Sequence, residues 1–553
     1  MFLRVVRIKK GSQVYKYLKL VKSIRKKDKV IQKVVVNFGN INHWSLEKVR
    51  ELINKLAEHF DIDTGLTEDD IDPQGSFCYG PFLLADCLWK RLEMSVFLEK
   101  ALKEREFDFE VEMAIKVMVF NRLCDPRSKH SLPFWLRNKY ISGVNPTKIK
   151  EHHFYRAMDI LEEYKDSLEQ WIFWHLTNLF NCDLSLVFYD LTSSYFEGQG
   201  PGIASSGYSR DHRPDCEQIQ IGLLVNSDGI PIAHTVFNGS ISDQKTLPDI
   251  IRKMIKTFNI RQCIFVADDG ILNNSTAPLI KNAGFKSIYS LSMRKEKCAW
   301  EIVKELPDVT DERWNRLKKN LWIYEISKRI NNKRIVIAFN PIRKKAQRAK
   351  RERRIQKSLA YLSSFNEHTK RGARKNNRKV EEQIERWLTS KGTKKYFRFK
   401  RIGPYNLTYE LNEDTVDAST SLDGMIVLYS DANDLSTEDI AKGYRTLTQV
   451  ENAFNEIKNF IKLRPIRHYR DYRVKAHVAI CVIAYLIESL IDQNLKKAQI
   501  KITAKRALDL LRDISIHRLN LAGKLLNKSD LPTDLEMKIL KSAGLLKFDR
   551  IVP

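Results

Sequence analysis

Cysteine is scarce and scattered in this chain. Its eight cysteines are spread over 553 residues, the closest two being Cys78 and Cys87, and no Cys-x-x-Cys pair occurs. That spacing excludes a zinc finger or a disulfide framework and makes a reducing, cytoplasmic setting the expectation. Long apolar runs are missing too. The most apolar stretch, Val478–Ile487 (VAICVIAYLI), covers about half a membrane span and predicts a core helix, so no membrane partner is expected. Met1–Lys10 holds two short apolar pairs broken by Arg4 and Arg7, which predicts no signal peptide. There is no internal repeat. Acids are in short supply: 95 Lys and Arg face 68 Asp and Glu, a formal net charge of +27. Hydrophobic residues make up 43%, ample for sizeable cores, so global disorder is excluded.

The charge is unevenly placed. Residues 1–35 carry 12 Lys/Arg against one acid, and residues 343–401 carry 22 against five, for net charges of +11 and +17. The rest of the chain is close to neutral. Two basic segments on a near-neutral body are the electrostatic footprint of a polyanion binder.

Periodicity organises the chain. Residues 1–40 alternate apolar and basic positions, with turns at Gly11–Ser12 and Lys26–Lys29, predicting a three-stranded antiparallel unit. From Ser45 to about Phe180 apolar residues recur three and four apart, as helices require. Short apolar runs then return at 184–190, 218–225, 230–237, 263–267 and 287–291, with helical stretches at 249–258 and 277–284 between the later ones. That order predicts a mixed α/β sheet with helices packed against it. Residues 295–420 break the regularity and suggest an insertion, after which strand 424–430 and one long helix, 437–463, resume the core.

Asp190 and Asp268 each stand at the expected C-terminal end of a strand, where open α/β sheets place their sites. Carboxylates from neighbouring strands repel one another unless a cation lies between them, which suits a hard divalent metal. Asp269 adjoins Asp268, and only one of the two is expected to face such a site. On the late helix Tyr444, Glu451 and Lys458 are spaced seven apart and share one face, beside an apolar stripe of Leu447, Val450, Ile457 and Ile461. Three carboxylates with divalent cations suit phosphodiester chemistry. A turn former for each Asp and a solvated face for the helix are the plainer alternatives.

With these acids in this order, the chain resembles DDE transposases of bacterial insertion sequences, whose RNase H-like core is interrupted by a β-rich insertion. The strings bearing the resemblance are FYDLTSSYFEG (188–198), GYSRDHRPDCEQIQIGL (207–223), FVADDGIL (265–272), YRTLTQVENAFNEIK (444–458) and LRPIRHYRDYRVKAHV (463–478), with NRLCDPRSKHSLPFWL (121–136) upstream. The resemblance implies that Asp190, Asp268 and Glu451 are the catalytic, metal-binding triad for Mg²⁺ or Mn²⁺. It also implies that Tyr444 and Lys458, matching a Tyr-Arg-Glu-Lys signature, contact DNA. Leu447 stands where relatives often have Arg, and Asp269 where they often have a basic or small residue.

The implied activity is binding of double-stranded DNA at the inverted-repeat ends of an insertion sequence, then cleavage and transfer to target DNA by a homodimer. A resolvase-like nuclease without strand transfer and an inactive DNA-binding descendant stay open. The expected division is a basic β-rich end-binding module at 1–44, a helical region at 45–180, the core's first part at 181–294 and a basic insertion at 295–420. The core's second part comes next, at 421–495, and a C-terminal helical region at 496–553. Trp387 and Tyr396 in the insertion are candidates for stacking on an extruded base.

Overall fold

A computed structural model describes the chain except residues 11–12, 27–28, 43, 61–70, 179, 181–182, 292–301, 304–305, 370–376, 403–405, 522–523 and 553. The turn residues Gly11, Ser12, Lys27 and Asp28, and the expected boundaries at 181 and 295, lie outside the described residues. The chain divides into two compact units: Met1–Gly75 with His517–Lys528 and Ile551–Pro553, and Ser76–Ile516 with Ser529–Arg550.

In the first unit, Phe2–Lys10, Gln13–Lys26 and Lys29–Asn40 pair in sequence as an antiparallel sheet, Phe2 opposite Val21 and Lys26 opposite Lys29. The helix Leu46–His59 comes next, its first turn capped by Ser45 Oγ accepting from the Lys48 N–H. The chain's end, expected to be helical, contains the strands Ser515–Leu521 and Lys524–Ser529, which join Ile551–Val552 and Ile71–Cys78 in a second sheet. Isoleucine and leucine alternate with polar residues in SIHRLNL, the period of a strand rather than a helix.

The second unit is built on a nine-stranded mixed sheet. Its strands are β1 (Leu186–Tyr195), β2 (Gln218–Asn226), β3 (Pro231–Asn238), β4 (Ile264–Ala267), β5 (Lys286–Ser290), β6 (Asn315–Lys318), β7 (Leu321–Ile330), β8 (Lys333–Phe339) and β9 (Met425–Ser430). They lie in the order β6-β7-β8-β9-β5-β4-β1-β2-β3. β1, β4 and β5 run parallel, and every other neighbouring pair is antiparallel. The strands at 321–330 and 333–339 are therefore hydrogen-bonded into the main sheet through β9. Between β8 and β9, residues 341–421 include a separate small core of Ile355, Leu362, Ile384, Leu388, Tyr396 and Phe397. Both aromatic candidates for base stacking are committed here: Trp387 stacks on Tyr361 at 4.0 Å, and Tyr396 is buried with its hydroxyl on Ser419.

Alternation along β1 sends Val187, Tyr189 and Leu191 to one face of the sheet, and Phe188 and Asp190 to the other. The first face packs on α1 (Asp243–Lys256), whose Leu247, Ile250, Ile251 and Met254 recur at helical spacing. The other face is covered by helices from the chain's second half. α2 (Thr437–Thr446) and α3 (Thr448–Asn459) replace the single expected helix. They meet at Leu447, where the Thr446 and Thr448 hydroxyls donate to the carbonyls of Lys442 and Arg445 and loosen the regular ladder. The predicted stripe is buried, with Val450 and Ile461 fully so. α4 (Asp471–Lys497) is long and apolar enough to cross a membrane by length and composition, but 94% of its most apolar stretch is buried inside the protein. The helices Gly80–Arg91, Val111–Cys124 and Glu151–Glu163 pack on it, as do Ala504–Leu510 and Asp534–Ser542. Leu508, Ile539 and Leu540 of these last two are buried in this core.

Gly222 lies opposite Leu191 across β1 and β2, on the face of Tyr189. A Cβ there would stand 2.4 Å from the Tyr189 hydroxyl and 2.9 Å from its ring. Tyr189 is fully buried and bonded to Thr246 Oγ1 at 3.0 Å, so it has little room to give. Gly222→Ala is expected to destabilise the fold by about 1–3 kcal/mol. A shift in denaturation midpoint worth less than about 0.5 kcal/mol would show that Tyr189 is not locked.

Candidate active site

Asp190 is not at a strand end. β1 continues to Tyr195 because residues 191–195 pair with 218–222 of β2. Its parallel partner β4 stops at Ala267, however, and Phe188 pairs with Val266. Continuing that register by two positions sets Asp190 beside Asp268, just past the last parallel pairing. Both carboxylates are half-buried. Asp190 Oδ1 accepts from the Leu191 N–H at 2.7 Å, and Asp268 Oδ1 from Gly270 and Ile271 at 3.1 and 3.3 Å.

The third acid comes from the helices over this face. Glu451 is in the first turn of α3, exposed, at the end of the helix where a negative charge is favoured. It is close enough for its charge to act on Asp190. Burial first, then the charge of Asp268, pushes the Asp190 carboxyl up to about 7; Glu451 adds to the rise, while the Leu191 N–H and Arg210 oppose it. Asp268 is raised as well, by burial, Asp269 and Asp243. Tyr444 is also drawn in: burial raises its hydroxyl, which bonds Ser290 and feels the charges of Asp268, Asp269 and Arg343.

Lys458 stands elsewhere. Its side chain, 9% exposed, donates to Asp211 Oδ1 at 2.8 Å, and Arg464 reaches the same oxygen at 2.5 Å. Burial lowers its pKa, with Asp211 opposing. Sequence alone assigns no role to Asp211, Arg210 or Asp243. Arg210 bridges Asp243 Oδ2 (2.6 Å) and Gln220 Oε1 (2.7 Å). Arg210 and Asp211 lie within the string GYSRDHRPDCEQIQIGL, but nothing in their spacing signals a contact across the sheet.

Among the described residues, no three His, Cys, Asp or Glu side chains close around a common point where a metal ion would be held. By chemistry the trio fits a hard divalent cation nonetheless: oxygen donors only, with Asp190 raised by burial and the charge of Asp268, and Asp268 raised by burial and the charges of Asp269 and Asp243.

Residues 182–487 match the model of the transposase DDE domain, and the chain belongs to that family. Residues 3–68 match the N-terminal domain of IS1634 family transposases, which identifies the protein as a bacterial insertion-sequence transposase acting on DNA. None of the curated proteins matches the chain. Among solved structures, one described as a cryo-EM structure of the piggyBac transposase synaptic complex with hairpin DNA aligns over 78% of this chain and 79% of its own. Its sequence identity is 9% and its TM-score 0.37, too slight a likeness to argue from.

The raised Asp190 carries a sign. The native chain keeps this proton between the ordinary carboxylate range and about pH 7, where the unfolded chain has released it. Its contribution to stability therefore falls as pH rises toward 7. Asp190→Asn should be more stable than the wild type at pH 8, by roughly 1–2 kcal/mol once water's screening of a half-buried group is allowed for. The gap should close near pH 4. Melting curves at the two pH values check this, and a gap independent of pH would contradict it.

Proposed function

We propose that this transposase binds the inverted-repeat ends of its own element and, with Asp190, Asp268 and Glu451 as catalytic residues, cleaves the DNA and joins the freed end to a target. The observation supporting this most directly is the strand register that sets Asp190 beside Asp268, with Glu451 on the helix over them near enough for its charge to be felt at Asp190. On this reading the sheet is an RNase H-like core.

The three carboxylates would hold Mg²⁺ or Mn²⁺, which when bound supplies an activated oxygen nucleophile and stabilises the leaving oxygen. The residues themselves do the rest. Asp190 and Asp268 are held by N–H donors and strand register, so their oxygens keep one geometry. Cleavage adds water across one phosphodiester, leaving a 3′-hydroxyl and a 5′-phosphate, and joining exchanges one phosphodiester for another, so no high-energy cofactor enters. Tyr444, beside Asp268, is placed to orient a phosphate near the cleaved bond. Lys458 contributes to phosphate binding only when Asp211 releases it.

The basic residues of 1–44 form the end-binding module, adding salt-dependent phosphate affinity. The basic part of 295–420 lies along the transposon end. The working form is a cytoplasmic homodimer that synapses two ends.

The test is a labelled element end with purified protein and Mg²⁺, scored for nicking and joining. Asp190→Asn, Asp268→Asn and Glu451→Gln should each lose cleavage by on the order of 10³-fold or more while still binding the end. Joining that persists in any of the three would sink the site assignment. Cleavage without joining in the wild type would mark a nuclease, and binding alone an inactive descendant.

A further inference from the structure

Next to the proposed site stands a fourth carboxylate that the triad does not use. Asp243 opens α1, and its Oδ2 lies 3.3 Å from where a Cβ on Gly270 would stand, the same distance as Asp268 Oδ1. The two oxygens are thus at most twice that distance apart, and the charge of Asp243 is felt at Asp268. A free fourth acid here would change what the site binds. Mg²⁺ keeps several waters and takes one or two carboxylates, whereas Ca²⁺ takes six to eight oxygens and binds tighter as carboxylates are added.

Asp243 is not free. The Arg210 guanidinium donates to its Oδ2 at 2.6 Å and to Gln220 Oε1 at 2.7 Å. The Arg210 backbone N–H donates to Ser193 Oγ at 2.9 Å. Gln220 and Ser193 are buried residues of β2 and β1, so the arginine is braced from the sheet itself. Its planar fork suits this two-acceptor arrangement, which a point charge would not reproduce.

We propose that Arg210 is a specificity-determining positioning residue of the acid site, withholding Asp243 from the divalent cation so that three carboxylates, not four, are presented to it. This rests on Asp190, Asp268 and Glu451 being the metal-binding acids. Arg210 touches neither DNA nor the reacting atoms; it acts through Asp243.

Cation binding to the full-length, DNA-free protein tests it, by titration calorimetry with Ca²⁺ and Mg²⁺ and by the melting-temperature shift each ion produces. Arg210→Gln should tighten Ca²⁺ binding about tenfold or more, with a smaller change for Mg²⁺. Adding Asp243→Asn to that variant should return Ca²⁺ affinity to the wild-type value. Asp243→Asn alone should leave Mg²⁺ binding within about twofold of wild type, and it keeps the proposal testable should Arg210→Gln fold poorly. Unchanged or weaker Ca²⁺ binding in Arg210→Gln would overturn the proposal. So would tightening that survives in the double variant, or a large loss of Mg²⁺ in Asp243→Asn. Failure of the underlying triad looks different: Asp190→Asn or Glu451→Gln would then leave wild-type cation binding unaltered.

Discussion

Two like charges held side by side by strand register are the constraint on which this structure turns. Asp190 and Asp268 do not attract each other; the parallel pairing of β1 with β4 sets them together. That register is locked from the opposite face, where Val187, Tyr189 and Phe265 are fully buried among the residues packing on α1. A slip of one residue would turn Tyr189 out of its core and Asp190 into it. Burial of large apolar side chains therefore stabilises an arrangement that electrostatics alone would disperse.

The relief offered to these acids is partial, and its pattern is informative. Asp190 and Asp268 receive backbone N–H donors, from Leu191, Gly270 and Ile271, which fix oxygens without adding a full charge. The full cations nearby are engaged by acids outside the trio: Arg210 by Asp243, and Lys458 and Arg464 by Asp211. The local charges are thus paired off around the trio and not within it. A site kept short of positive charge in this way has an electrostatic need that a divalent cation would meet.

Much of this was legible from period and order. The runs at 184–291 are strands and helices where expected, and the basic alternation of residues 1–40 does form a three-stranded sheet. Three features escaped for physical reasons. β7 and β8 look like insertion because β9, the strand through which β8 joins them to the core, comes some 90 residues later in the chain, and sequence proximity says nothing of that pairing. The break at Leu447 is invisible to apolar spacing, since the stripe runs through it unaltered and the hydroxyls that bond there are polar. The partners of Lys458 and Arg210 depend on how the 207–217 loop crosses the sheet, and no local periodicity encodes a loop's path. Asp190 and Asp268 were legible as acids at the ends of apolar runs, but their adjacency is a property of register.

The basic segments and the acid trio answer opposite halves of one problem. A DNA phosphate is attracted by the cations of the helix Pro341–Thr369, where Arg343, Lys345, Lys350 and Arg353 are exposed. The same phosphate is repelled by Asp190, Asp268 and Glu451. A helix of 29 residues spans about 43 Å, several times the Debye length of about 8 Å at physiological salt. Most of its charges are therefore screened from whatever lies beyond its near end, while the charge of Arg343, in its first turn, is felt at Tyr444. Were the cations packed among the acids instead, the two sets would neutralise each other, and neither phosphate attraction nor cation binding would remain. On the proposed reading, separation would let the basic segments gather DNA while the acids stay uncompensated. The scissile phosphate would then settle beside the three carboxylates only with a divalent cation between them, so the electrostatics that make the site costly would also tie its use to the ion.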